Sequence, residues 1–213
     1  MRRHFSPLDR LLIGINHQLD RLHAPKPVIA ADSPAHAIAD VELSAAQQQH
    51  HAGLMRIDHT GEVCAQALYQ GQAFTARSAA TRTLLLDSAA EEYSHLCWCE
   101  QRLQQLDAKP SLLNPLFYAG SFAMGAAVGT LGDKISLGFI AATEELVGEH
   151  LQSHLQQMQD SDPKSQAVLQ QMHTDELTHA HKARLAGGWY FPPFIKNVML
   201  TLSKVMVYSS YRV

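Results

Sequence analysis

Glu91-Glu92-Tyr93-Ser94-His95 decides how this chain is read, because it returns downstream as Asp175-Glu176-Leu177-Thr178-His179. Both stretches read acid-Glu-x-x-His. On a helix, positions three apart lie about 60° apart around the axis, so the Glu and the His can point at one metal ion. One copy is weak evidence in a chain with 13 histidines. The surroundings of the two copies are stronger evidence. Glu62 precedes Glu92 by 30 positions, and Glu144 precedes Glu176 by 32. The chain therefore runs as a Glu helix followed by a Glu-x-x-His helix, twice. A Glu from each of two helices and a Glu-x-x-His from each of two others is a ligand set of di-iron and di-manganese four-helix bundles.

Apolar spacing turns these acids toward a core. Leu137, Ile140, Glu144, Val147, Leu151 and Met158 share one side of a helix. Leu169, Met172, Glu176, His179 and Ala183 do so on another. Upstream, Leu85, Glu92, His95, Cys99 and Leu106 form a third stripe, and Met55, Asp58, Glu62, Ala65 and Tyr69 a fourth. Glu145 falls with Gly138, Ala141, Gly148 and Gln152, a stripe that reads as peripheral, so Glu144 is the expected ligand of that pair. Four buried carboxylates without compensation are costly. Two divalent ions offset their charge, and two neutral imidazoles complete a nitrogen and oxygen set suited to iron or manganese. Glu91 and Asp175 are placed to orient the histidines from behind, although surface acids explain them equally well. His150 and His154, four apart, form a weaker zinc motif.

Composition frames this reading. At 213 residues the chain reads as one domain. Charged residues are 17%, below the usual quarter, so part of the surface is expected to face something other than water. A formal charge of −3 argues against nucleic-acid binding. Cys64, Cys97 and Cys99 make no Cys-x-x-Cys and read as free thiols. Residues 1–43 read as an N-terminal helix and linker. Ser6-Pro7 opens the helix, which runs to about Leu22, and no cleaved export signal is expected. Helices are predicted over 44–77, 80–107, 133–159 and 163–187. Residues 111–132 carry no charge and could span a bilayer by length. Asn114, Pro115 and the glycines at 120, 125, 129 and 132 interrupt them, so a buried or membrane-surface connecting helix is expected. An apolar helix over about 194–211 ends the chain. No stretch alternates with the strand period, so the predicted class is all-α.

Asp58-His59-Thr60-Gly61-Glu62, together with the two Glu-x-x-His motifs and Glu144-Glu145, resembles the demethoxyubiquinone hydroxylases. The likeness runs from about Ala45 to the C-terminus. It implies a ferritin-like four-helix bundle over 44–213 with an apolar connecting helix and an apolar C-terminal helix. It also implies Glu62, Glu92, His95, Glu144, Glu176 and His179 as ligands of two iron ions, with Asp58, Glu91, His150 and Asp175 as supporting residues. The implied reaction hydroxylates the ring of a prenylated demethoxy-benzoquinol in ubiquinone synthesis, with dioxygen as co-substrate and NADH as electron donor. The implied setting is peripheral, on the cytoplasmic face of the inner membrane, beside lipid and other ubiquinone-biosynthesis proteins. Leu151 stands where a tyrosine is expected in many family members, so no tyrosine role is carried over there. The rival readings are a ferritin-like iron-oxidising or iron-storage protein, a di-iron enzyme with another substrate, and a metal-free membrane-surface scaffold.

Overall fold

The structure is a computed structural model that describes residues 32–158 and 161–213. The expected helix near Ser6 to Leu22 lies outside these residues. Six helices follow: α1 (Ala45–Thr75), α2 (Ala79–Gln105), α3 (Asn114–Thr130), α4 (Asp133–Met158), α5 (Pro163–Leu185) and α6 (Pro193–Ser210). The described residues contain no strand, as the apolar periodicity predicts. The chain makes the ferritin-like helical bundle expected of it.

Local chemistry sets the helix ends. Ser44 caps α1 by accepting from the Gln47 amide, while the Gln47 side chain accepts from the Ser44 amide. The α1 helix stops at Thr75, two residues before the predicted end. Arg77 and Ser78 both donate backbone N–H groups to the Asp133 carboxylate, and Ser78 caps α2. The same Asp133 opens α4, so one carboxylate ties the α1–α2 turn to the second half of the bundle. Asp162 caps α5, with Pro163 at its first position. Gly132, at φ +113°, makes the corner between α3 and α4 that a side chain would strain.

The short connections make two hairpins, α1–α2 and α4–α5, which face each other across the core. The helix α3 joins them by running along α1. Its approach is close: a Cβ on Gly125 would stand 2.4 Å from the Leu68 carbonyl oxygen, and one on Gly71 would stand 2.2 Å from that of Phe122. The glycines that interrupt a membrane-spanning reading of 111–132 are thus what seat this helix on the bundle. No helix among the described residues is long and apolar enough to cross a membrane.

The four predicted core stripes are buried, apart from half-buried Val147. The stripe read as peripheral is so only in part: Glu145 is half-buried and Gln152 exposed, but Gly138, Ala141 and Gly148 are buried. Their small size lets neighbours approach closely, with the Trp189 backbone seated on Gly138. The apolar core lies in blocks to either side of the acidic stripe, with Met55, Leu103, Leu169 and Met172 in one and Tyr69, Leu85, Ile140 and Ala183 in another. The helix α6 differs from all the others, since of its residues only Ser210 is buried.

Candidate metal centre

Each element contributes a turn of polar residues at the same level. The α1 helix brings Glu62, α2 brings Glu92 and His95, α4 brings Glu144, and α5 brings Glu176 and His179. All six are at most 3% exposed. Ligand atoms of Glu62, Glu92, His95 and Glu176 lie within 4.8 Å of one another.

The two middle carboxylates reach both imidazoles. Glu92 sets Oε2 2.9 Å from His95 Nδ1 and Oε1 2.8 Å from His179 Nδ1. Glu176 sets Oε1 3.3 Å from His95 Nδ1 and Oε2 3.8 Å from His179 Nδ1. The outer carboxylates flank this pair. Glu62 Oε2 is 3.8 Å from His95 Nδ1, and Glu144 Oε1 accepts from the buried Tyr69 hydroxyl at 2.7 Å.

Both rings present Nδ1 to the carboxylates and Nε2 to an acid behind them, and the acids cross over. His95 of the first motif donates from Nε2 to Asp175 of the second at 3.0 Å. His179 of the second donates from Nε2 to Glu91 of the first at 2.6 Å. Lys182 also pairs with Glu91, and Gln171 donates to Asp175, so each acid is itself held.

Burial dominates the electrostatics. It pushes the Glu62 carboxyl well above the usual range, and the charges of Glu92 and Glu176 add to that against the opposing pull of His95. It pushes Glu144 up in the same way, with the Glu176 charge adding. Burial acts upward on Glu92 too, but its contacts with His179 and His95 more than reverse this and bring it down to about 2. Burial works against a charged ring at both histidines. Contacts with Glu176 and Glu92 nevertheless lift His179 to about 10, while Asp175, Glu176, Glu62 and Glu92 lift His95 well above its usual value. The two imidazoles are thus the groups set to offset the buried acids.

That charge does not satisfy every group. Glu62 Oε2, Glu92 Oε1, Glu144 Oε2, Glu176 Oε2 and His179 Nδ1 are buried without a properly formed hydrogen bond. Glu92 Oε1 and His179 Nδ1 are close yet not aligned for one. Buried polar atoms rarely go unpaired, and a cluster of them that is mostly carboxylate oxygen fits hard or borderline divalent ions. Two such ions would bring +4 to the four carboxylates and leave the imidazoles neutral as ligands.

Glu145 takes no part. It pairs with Arg184 of α5 and Lys196 of α6 and so ties the last helix to the second hairpin. Asp58 and His150 are also absent from this cluster. Hydrogen bonding joins Asp58 to His154, a residue spacing alone had marked only as half of a zinc motif. Tyr69 was placed on the core stripe by its spacing, but its bond to Glu144 had no sequence signal.

Comparison with known proteins places the chain in a family. Residues 49–210 match the family model described as ubiquinone biosynthesis protein COQ7. The chain is 52% identical over 211 residues to a 3-demethoxyubiquinol 3-hydroxylase of Pseudomonas putida (strain W619), covering 99% of this chain and 98% of that protein. It is 52% identical over 213 residues to the enzyme of that name from Azotobacter vinelandii, with coverage of 99% and 98%. A third relative of that name, from Pseudomonas fluorescens (strain SBW25), is 50% identical over 212 residues, with coverage of 100% and 99%.

Proposed function

The chain belongs to the COQ7 family of ubiquinone-biosynthesis proteins, and from that membership we propose how its residues carry out the family's hydroxylation. The protein is a hydroxylase of a demethoxyubiquinol ring. Glu62, Glu92, His95, Glu144, Glu176 and His179 hold two iron ions. The observation that carries this is the pair of middle carboxylates, Glu92 and Glu176, each facing both imidazoles. Bound iron supplies activation of dioxygen. One oxygen atom enters a ring C–H bond as C–OH, and the other leaves as water with two electrons and two protons. NADH is the source of those electrons, with the quinone head group as relay.

The remaining work falls to the protein. Asp175 and Glu91 hold the Nε2–H of each ring, which fixes Nδ1 as the ligating nitrogen. Tyr69 fixes one oxygen of Glu144 and leaves the other for a metal. Leu85, Ile140 and Ala141 are buried in one apolar cluster with Tyr69, the donor to Glu144.

The substrate's isoprenoid tail belongs in lipid, so the protein docks peripherally on the cytoplasmic face of the inner membrane. Phe194, Val198, Leu202 and Val205 support this as an exposed apolar stripe on α6, and Leu112, Leu116 and Met124 on and near α3 are exposed as well. Lys196 is spent on Glu145, which leaves Lys204 and Arg212 for anionic head groups. An iron-storage role needs no such face.

A strain lacking its own hydroxylase and carrying this gene tests the reading. Ubiquinone should return with the wild-type chain and with Glu145→Ala, and the demethoxy precursor should persist with Glu144→Ala. Persistence of the precursor with the wild-type chain would refute the assignment.

A further inference from the structure

We propose that Asp58, His150 and His154 form a separate site for a single divalent transition-metal ion, zinc or ferrous iron by its donors. Two histidines one helical turn apart on α4 meet an aspartate that α1 brings in from 96 positions away. One ligand atom from each lies within 4.8 Å of the other two. His154 Nδ1 stands 2.8 Å from Asp58 Oδ1, and the two imidazole centroids are 4.0 Å apart.

Two features separate this cluster from an ordinary buried ion pair. His150 Nε2 is buried with no hydrogen-bond partner, and Asp58 Oδ1, on a residue only 4% exposed, is close to His154 Nδ1 yet not aligned for a hydrogen bond. A pair built for its own sake would not pack a second imidazole against the first with its nitrogen unsatisfied. Second, two imidazoles and one carboxylate make a three-protein-ligand set that leaves room for water, a donor set of both zinc and non-haem ferrous sites.

The site is distinct from the six-residue centre. Asp58 precedes Glu62 by one turn, about 6 Å of rise, and His154 lies about 15 Å beyond Glu144 along α4. It sits toward the end of the bundle where His51 pairs with Asp162. None of its three residues hydrogen-bonds to the six among the described residues.

The test uses tag-free full-length protein, stripped of metal and saturated with cobalt(II). Metal per chain is read by elemental analysis, coordination by visible absorption, and helix content by circular dichroism. Wild type should hold three ions. His150→Ala and His154→Ala should each hold two, with unchanged helix content. Glu62→Ala/Glu176→Ala should keep one ion with the spectrum lost in the His154 variant. If that last chain fails to fold, the comparison of wild type with the histidine variants still decides. Two ions in wild type, or three in both histidine variants, would overturn the site. So would loss of every ion from either histidine variant, because the two centres would then be one.

Discussion

The seam between the hairpins and the surface of α6 invert the usual distribution of side chains in opposite directions. In the seam, four carboxylates and two imidazoles are nearly wholly buried. On α6, Phe194, Val198, Leu202, Val205 and Tyr208 are all more than half exposed. Each arrangement is unfavourable for a protein surrounded only by itself and water. Metal ions would relieve the first by taking up the carboxylate charge. A lipid surface would relieve the second by taking up the apolar area. The comparison teaches that a missing partner shows in the structure as the kind of group left unsatisfied.

Glu92→Ala is the hardest blow to this contrast, because it removes the carboxylate that faces both histidines. Iron measured by elemental analysis and hydroxylated quinol measured by chromatography should both fall to background. Asp175→Asn and Glu91→Gln come next. They leave all six central residues in place and should each lower iron affinity or turnover about 10–100-fold. An unaltered iron affinity and rate in both would show that the crossed acids are ordinary surface pairs. Gly125→Leu should cost about 1–3 kcal/mol, read as a lower thermal midpoint, because the new side chain meets the α1 backbone. The smallest effect on stability is expected for Leu202→Glu with Val205→Glu, within about 0.5 kcal/mol per site. This variant should keep its iron and helices but no longer float with anionic liposomes. If it floats like wild type, α6 is not the docking face. If instead it dissociates in sedimentation, the face covers another copy.

The six central residues were legible because each sits on an apolar stripe whose period is local, and local periodicity survives into the fold. Helix order was legible for the same reason, and the structure caps α1 at Ser44 and α5 at Asp162. What was not legible depends on how helices turn toward one another. The crossed pairs Glu91–His179 and Asp175–His95 join residues 88 and 80 positions apart. Spacing could say only that each acid stands beside a motif. Asp58 looked like support for the six, yet rotation of α1 gives it to His154. The stripe with Ala141 and Gly148 looked peripheral because small residues carry little hydrophobic signal, although they permit the closest packing. The pairing of Lys196 with Glu145 had no sequence signal either, since it joins residues 51 positions apart.

Exchange the two hairpins, and Glu91 takes the place of Asp175, Glu92 of Glu176, His95 of His179 and Glu62 of Glu144. The crossed contacts map onto each other, as they would in a two-fold symmetric dimer where residue i meets j and j meets i. Here that rule is written within a single chain. Under the same exchange Tyr69, seven residues beyond Glu62, corresponds to Leu151, seven beyond Glu144. The tyrosine crosses the axis to Glu144, while the leucine in the equivalent place has no hydroxyl to offer Glu62. At this position one oxygen atom breaks the pseudo-symmetry. Of the two outer carboxylates, one is tethered by a phenol and the other has no such tether, so the two outer positions of the centre are unequal.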